Sequence, residues 1–283
     1  MQFKETEAKS ILVKSKLPES DYVINCYTGC AFGCSYCYAS FMGRFVGQPI
    51  NSWGDYVYAK TNAPELLEKE IKKLKNKGKG ITVLLSSVTD PFQQAEAKYK
   101  LSEKCLTVLA DYDFQGNVSI LTKSPAVLKV IPILKRLKNI DVGITITSTN
   151  DKISRYFEKF APNASARIKT LETLNKEHIQ TYAFLGPILP HFIAEKGKLD
   201  QVLAAIYKTG TRRLFIEHIN LSTYIKERML KELKNVDKEF LNKFYSSQSK
   251  DYREELNKTI YELLKKYKFK LLHNEIIYHK ELK

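Results

Sequence analysis

From residue 63 to residue 220 the sequence alternates between stretches of helical period and short apolar runs, and this alternation restricts the fold more than any other feature. Asn62 stands where a helix N-cap belongs, with Pro64 in the first turn. Leu66, Leu67, Ile71 and Leu74 then keep helical spacing until Gly78 and Gly80. The run Ile81 to Leu85 is continuously apolar, the pattern of a strand buried on both faces. Further strand-like runs lie at 117–122, 141–147, 181–186 and 213–220, separated by helical patterns at 101–112, 125–138, 163–177 and 197–208. With Tyr22 to Cys26 this makes six strands alternating with helices, an arrangement that calls for a parallel sheet. The expected fold class is α/β, a partial (β/α)6 TIM-type barrel over residues 22–220 with a parallel sheet.

Residues 1–21 are polar and read as an N-terminal arm, with Ile11 to Val13 as a candidate edge strand. The segment Phe41 to Tyr58, which holds the only tryptophan, Trp53, has no clean period and reads as an ordered loop with a short helix. Residues 221–283 form a C-terminal, mainly helical extension expected to close the barrel's open side. Its amphipathic positions include Leu230, Leu233, Phe240, Leu241, Phe244, Leu256, Ile260, Leu263 and Leu264, and Phe269 to Tyr278 can hold a strand.

Four of the five cysteines fall between residues 26 and 37, which is metal-site clustering and not a disulfide framework. Cys30, Cys34 and Cys37 are spaced C-x3-C-x2-C on a loop loosened by Gly29 and Gly33, directly after an apolar run. Thiolates suit iron–sulfur clusters or zinc. A structural zinc site needs four ligands, usually as two separated pairs, and this loop offers a triad. A cluster held by three cysteines leaves one iron for another ligand. Inert buried cysteines, or a zinc knuckle completed by Cys26, are the alternatives. Cys105 sits on a helical stretch and reads as a core residue.

Polar groups collect where the apolar runs end, which is where parallel barrels place their working side chains. They are Ser86-Ser87-Val88-Thr89-Asp90-Pro91, Thr122-Lys123-Ser124, Thr147-Ser148-Thr149, Gly186-Pro187-Ile188-Leu189-Pro190-His191 and Glu217-His218-Ile219-Asn220. Helix capping accounts equally well for Ser124 and Thr149. Lys123, a cation at a strand end, reads as functional. His218 and Asn220 are expected to share one strand face near the mouth as candidate substrate contacts, with satisfied core or capping roles as the equal alternative.

The run Tyr27-Thr-Gly-Cys30 through Cys34-Ser-Tyr-Cys37-Tyr-Ala resembles the cluster loop of radical S-adenosylmethionine (radical SAM) enzymes, in particular the spore photoproduct lyase-related branch. The resemblance continues through Thr89-Asp90-Pro91-Phe92 with Glu96 and Tyr99, Leu121-Thr-Lys-Ser-Pro125, Val142-Gly-Ile-Thr-Ile-Thr, Ala161 to Arg167 and Gly186 to Pro190. It covers about residues 22 to 220. It implies that Cys30, Cys34 and Cys37 hold a 4Fe–4S cluster whose fourth iron is chelated by S-adenosylmethionine (SAM). It also implies that Ser86, Ser87 and Asp90 line the methionine end, and that Lys123 and Ser148 meet the carboxylate or ribose. Arg167 would lie near the same cofactor, and Gly186 and Pro187 beside the adenine. Tyr36 and Tyr38 match an aromatic pair of which one packs on the cofactor, and which in the lyases is implicated in hydrogen-atom transfer.

The implied reaction is reductive cleavage of SAM to a 5′-deoxyadenosyl radical, which abstracts a hydrogen atom from a substrate in lyase-like chemistry. It requires a flavodoxin- or ferredoxin-type electron donor. One departure stands out: the lyases carry a cysteine in the segment before the strand-two aspartate, where this chain has Ser86 to Thr89, so the spore lesion is not the expected substrate. A net charge of +15, from 46 Lys and Arg against 31 Asp and Glu, suits a nucleic-acid or nucleotide substrate. The clearest basic stretch is Lys123, Lys129, Lys135, Arg136 and Lys138, which contains no acid. A Lys- and Glu-rich composition is also that of high-temperature proteins, in which case the same chemistry would act on a peptide or small metabolite. A non-catalytic nucleic-acid-binding protein with a structural metal is the third reading. The chain lacks an apolar segment long enough to span a membrane and is expected to be cytoplasmic.

Overall fold

The computed structural model describes residues 1–190, 195–232, 242 and 244–279. Six strands form the parallel heart of its larger sheet: β3 (Tyr22–Ile24), β6 (Thr82–Leu85), β7 (Asn117–Thr122), β8 (Asn139–Thr145), β9 (Gln180–Ile188) and β10 (Arg213–His218). Each pairs in parallel with the next, as a succession of βα units requires. The antiparallel β2 (Leu12–Lys14) borders β3, where an edge strand was expected, and β11 (Lys270–Leu271) borders β10 at the other end. Beyond β11, Ile277 bridges to Glu217, so the C-terminal segment continues the sheet past its sixth strand.

The central strands are not buried alike on both faces. Val83, Leu85, Val118, Ile120, Leu214 and Ile216 are closed off from solvent. Their neighbours Thr82, Leu84, Asn117, Ser119, Arg213 and Phe215 line an interior cavity of about 810 Å³. This is the period of two expected of any strand. The partial barrel thus packs its outward rows under helices and keeps its inward rows for a cavity.

Gly143 shows the geometry closely. It stands opposite Tyr182 in the β8–β9 register, and a Cβ there would run into the Tyr182 ring. With glycine in place, that ring lies across β8 and its hydroxyl donates to the Ile120 carbonyl at 3.1 Å.

Several local expectations are corrected. The helix expected over 125–138 is a 3-10 turn at Pro125–Val130 followed by one helical turn at Ile131–Leu134. Pro132 lacks the N–H that a continuous helix would need. Ser124 does cap its turn, accepting from the Ala126 amide, whereas the helix Asp151–Phe157 is capped by Asn150 and not by Thr149. Asn62 sits at the N-cap of Ala63–Ile71 without capping it; its amide side chain instead clasps both the N–H and the C=O of Ala8.

The loop expected over 41–58 contains 3-10 turns at Tyr38–Val46 and Ile50–Ser52 and ends in β5 (Tyr56–Lys60). With β1 (Gln2–Thr6) and β4 (Tyr27–Thr28), β5 makes a second, three-stranded sheet. Helices Thr223–Glu232 and Lys250–Tyr267 follow the barrel. Leu233, Phe240, Leu241 and His191 lie outside the described residues. No helix among the described residues is long and apolar enough to cross a membrane.

Gly143→Ala should cost about 1–3 kcal/mol by overpacking against Tyr182, read as a lowered midpoint in urea denaturation.

Candidate active site

The loop carrying Cys30, Cys34 and Cys37 has little regular structure, so its backbone groups are satisfied from elsewhere. Its few internal bonds are turn-like, with the Gly33 amide on Cys30 O and the Cys37 amide on Cys34 O. The Gly29 carbonyl accepts from Thr89 Oγ1 at 2.5 Å and from Gln93 Nε2 at 3.2 Å. The Ala31 amide donates to Gln93 Oε1 at 2.7 Å, and the Ser35 amide to the Phe157 carbonyl at 2.8 Å. Gly33 has φ +59° and packs against Gly54, where an added Cβ would come within 2.8 Å of the Gly33 Cα. The loop therefore presses on the second sheet on one side and on barrel strand ends on the other.

All three thiols line the interior cavity, and every cysteine is free. Burial pushes all three thiols above their ordinary range; Lys123 pulls Cys34 and Cys37 back, and Cys34 remains at about 12. Cys26 is fully buried, with its sulfur 3.6 Å from Cys105 Sγ, and faces away from the cavity. A zinc knuckle completed by Cys26 therefore has no fourth thiol in place. Among the described residues, no three His, Cys, Asp or Glu side chains meet at the position of a single metal ion. The donor set, three separate thiols around a roomy cavity with a cation beside them, fits a multi-iron cluster.

Ser86, Ser87, Asp90, Lys123, Gly186 and Pro187 line the same cavity, together with Tyr36 and Tyr38. Ser86 adopts φ +68°, a conformation uncommon outside glycine, and its buried hydroxyl has no partner among the described residues. Asn25 organises the following turn by accepting from the amides of Ser87 and Val88 at 2.9 and 3.2 Å. Asp90 is fully engaged: it accepts from Thr122 Oγ1 at 2.6 Å and from the amides of Phe92 and Lys123 at 2.9 and 2.8 Å. Burial raises its pKa despite these donors. Asp90 thereby sets the backbone from which Lys123 projects.

Lys123 Nζ lies 5.8 Å from the centre of the Tyr36 ring. Burial depresses its pKa, but Cys34 and Glu158 more than offset this and keep it charged. It has no ion-pair partner among the described residues.

Behind this wall is a buried cluster centred on Glu158, a residue that the sequence reading did not single out. Glu158 is held below its usual pKa: burial opposes ionisation, and Arg167 followed by Lys123 overcomes it. Arg167 Nη2 donates to Glu158 Oε2 at 2.6 Å, both side chains being wholly buried. Tyr36 Oη, Ser154 Oγ and Thr147 Oγ1 also donate to the Glu158 carboxylate. Arg167 is not part of the cavity wall; it reaches that wall through Glu158 and Tyr36 and by donating from Nη1 to the Thr145 carbonyl at 3.4 Å. Ser148 is likewise buried off the cavity, accepting from the Asn150 amide at 2.9 Å. Glu96 is directed elsewhere: it accepts from Tyr27 and from the Ser102 and Glu103 amides at the start of helix Leu101–Asp111.

The pairing of His218 with Asn220 is corrected. His218 continues the outward row of Leu214 and Ile216, while Glu217 continues the inward row of Arg213 and Phe215. His218 is 1% exposed and packs on Tyr252 and Tyr278, whereas Glu217 and Asn220 line the cavity. Glu217 accepts from His279 Nε2 at 2.6 Å, which raises the His279 pKa, so the C-terminal segment brings a partner to a β10 carboxylate on the cavity wall. The basic run is also corrected. Lys135 pairs with Glu177 at 2.6 Å and Arg136 with Asp111, and Lys138 donates to the neutral amide of Gln115, so acids distant in sequence pair with two of its five cations.

The family model described as the radical SAM superfamily matches residues 24–196. An uncharacterized protein of Methanocaldococcus jannaschii is 34% identical over 215 residues, 76% of each chain. One of Mycobacterium tuberculosis is 26% identical over 229 residues, 77% of this chain and 65% of that protein. Among solved structures, a spore photoproduct lyase complexed with dinucleoside spore photoproduct superimposes with a TM-score of 0.70 at 13% identity, covering 94% of this chain and 79% of that one. Streptococcus suis SuiB bound to its precursor peptide SuiA gives a TM-score of 0.52 at 11% identity, covering 88% of this chain and 47% of that one. At such identities the likeness is one of fold.

Two outcomes follow from the buried groups. Arg167→Met leaves the Glu158 carboxylate buried without its cation and should cost about 3–5 kcal/mol in denaturant unfolding. For His218, burial and then Arg253 lower the pKa from 6.5 to about 4. Between those values the unfolded chain takes up a proton that the folded chain refuses, so stability falls as pH drops through that window. His218→Gln should flatten this part of the stability–pH curve.

Proposed function

This chain belongs to the radical SAM superfamily, and on that premise we propose that it is an enzyme that holds a 4Fe–4S cluster on Cys30, Cys34 and Cys37. We propose further that it binds SAM against the Ser86, Ser87 and Lys123 wall and abstracts a hydrogen atom from a substrate. The observation that carries the reading is the convergence of the three thiols with these strand-end groups on one cavity. When bound, the cluster and SAM supply one-electron cleavage of the sulfonium C–S bond and the hydrogen-atom abstraction that follows.

The chain's own residues bind, orient and exclude water. The free Ser86 hydroxyl and the charged Lys123 amine are the cavity groups available to the polar end of SAM, and Gly186 and Pro187 offer a wall for its adenine. Asp90 acts by fixing the Lys123 backbone, and Arg167 by holding Glu158 and through it Tyr36. The Tyr36 hydroxyl is committed to Glu158, which suits a packing role for its ring. Tyr38 is 40% exposed and donates to the Ser87 carbonyl, which makes it the better candidate for passing a hydrogen atom. A flavodoxin- or ferredoxin-type protein would deliver the electron.

For substrate we favour a nucleic acid or nucleotide in lyase or modification chemistry, on the net charge of +15 and on the dinucleoside bound by the lyase of like fold. A second reading, a peptide or small metabolite, draws on Glu217 and Glu275 in the cavity wall and on the partial neutralisation of the basic run at Lys135 and Arg136.

Anaerobically reconstituted protein given dithionite and SAM should form 5′-deoxyadenosine, and Cys30→Ala should form none; a Cys30→Ala variant that still forms it contradicts the cluster assignment. Affinity for DNA or RNA should fall about tenfold between about 50 and about 200 mM salt if as few as two phosphates are neutralised. Absence of any binding at low salt would favour the peptide or metabolite reading.

A further inference from the structure

The helix Thr223–Glu232 lies beyond the span matched by the family model, yet it reaches the cysteine loop with two side chains. Arg228, 8% exposed, donates from Nη2 to the Cys34 carbonyl at 3.1 Å and from Nη1 to the Cys37 carbonyl at 3.3 Å. One turn earlier, Tyr224 Oη donates to the Tyr38 carbonyl at 3.1 Å. The carbonyls of two cysteines and of the residue after the second are thus all claimed by one helix.

We propose that Arg228 is a positioning residue of the metal loop: its guanidinium clamps the backbone that carries Cys34 and Cys37 and places a fixed positive charge beside the centre they hold. The inference rests on the cluster reading above and extends it to a residue outside the barrel. A guanidinium is planar, stays charged and presents its donors in a rigid fork, so it can hold two carbonyls at a fixed separation. A lysine keeps the charge but lacks the fork. Groups that hydrogen-bond around metal ligands govern both metal affinity and electronic properties. The half-cell potential of a cluster follows local charge and hydrogen bonding. A buried cation stabilises the more negative, reduced form and therefore raises the potential. Lys123 approaches Cys34 and Cys37 from β7, so the two cations reach these thiols from different parts of the chain.

The experiment uses full-length wild type, Arg228→Gln and Arg228→Lys, reconstituted with iron and sulfide, with folding checked by circular dichroism. Iron affinity is read by competition with a chelator and the one-electron midpoint potential by spectroelectrochemistry. Arg228→Gln should bind iron about 10- to 100-fold more weakly and show a lower potential. Arg228→Lys should lose iron affinity while keeping a potential near that of wild type, a separation that mere loss of packing would not produce. If Arg228→Gln does not fold, the Arg228→Lys result decides. Wild type that takes up no cluster overturns the cluster reading and this inference with it. Wild type that does, beside variants matching it in affinity and potential, overturns this inference alone.

Discussion

The loop from Gly29 to Tyr38 cannot satisfy its own backbone, and that constraint organises the site around it. Its amides and carbonyls are taken up by Thr89 and Gln93 after β6, by Phe157 after β8, and by Tyr224 and Arg228 after β10. A loop fixed by so many separate elements acquires its shape only when they are all in place. The thiols it carries are then held by the packed barrel and not by local propensity.

A second organising element is Glu158. A carboxylate this deeply buried persists as an anion only with strong compensation, and Arg167, Tyr36, Ser154 and Thr147 provide it. The cluster fixes the Tyr36 hydroxyl and leaves its ring facing the cavity, near Lys123. The wall is consequently stiff behind and polar in front.

The sequence made the six barrel strands, the two edge strands and the cysteine triad legible, because each depends on local patterns: apolar runs, helical spacing and close Cys spacing. The second sheet escaped notice because β1 is polar and almost wholly exposed, and it pairs with β5 from the far side of the cysteines. Asn62 has the right residue type at the right position for a cap, but Ala8, 54 positions away, claims its amide. His218 was misplaced although strand parity with Leu214 and Ile216 could have assigned it to the outward row. The long basic run is free of acids only along the chain; Asp111 and Glu177 reach it in space.

What the sequence by itself determined is the parallel α/β architecture and the identity of the thiols, since period and spacing are properties of neighbouring residues. Tertiary structure alone decided which strand-end groups face the cavity and what each one does there. Arg167 lies behind the cavity and holds Glu158, Asp90 lines it while holding the Lys123 backbone, Ser86 and Lys123 face it, and Glu217 meets His279 at its wall. These assignments depend on burial and on partners far apart in the chain, as with Arg228 and Cys34, 194 residues apart. Pairing at such separation is settled by packing, and no local pattern records it.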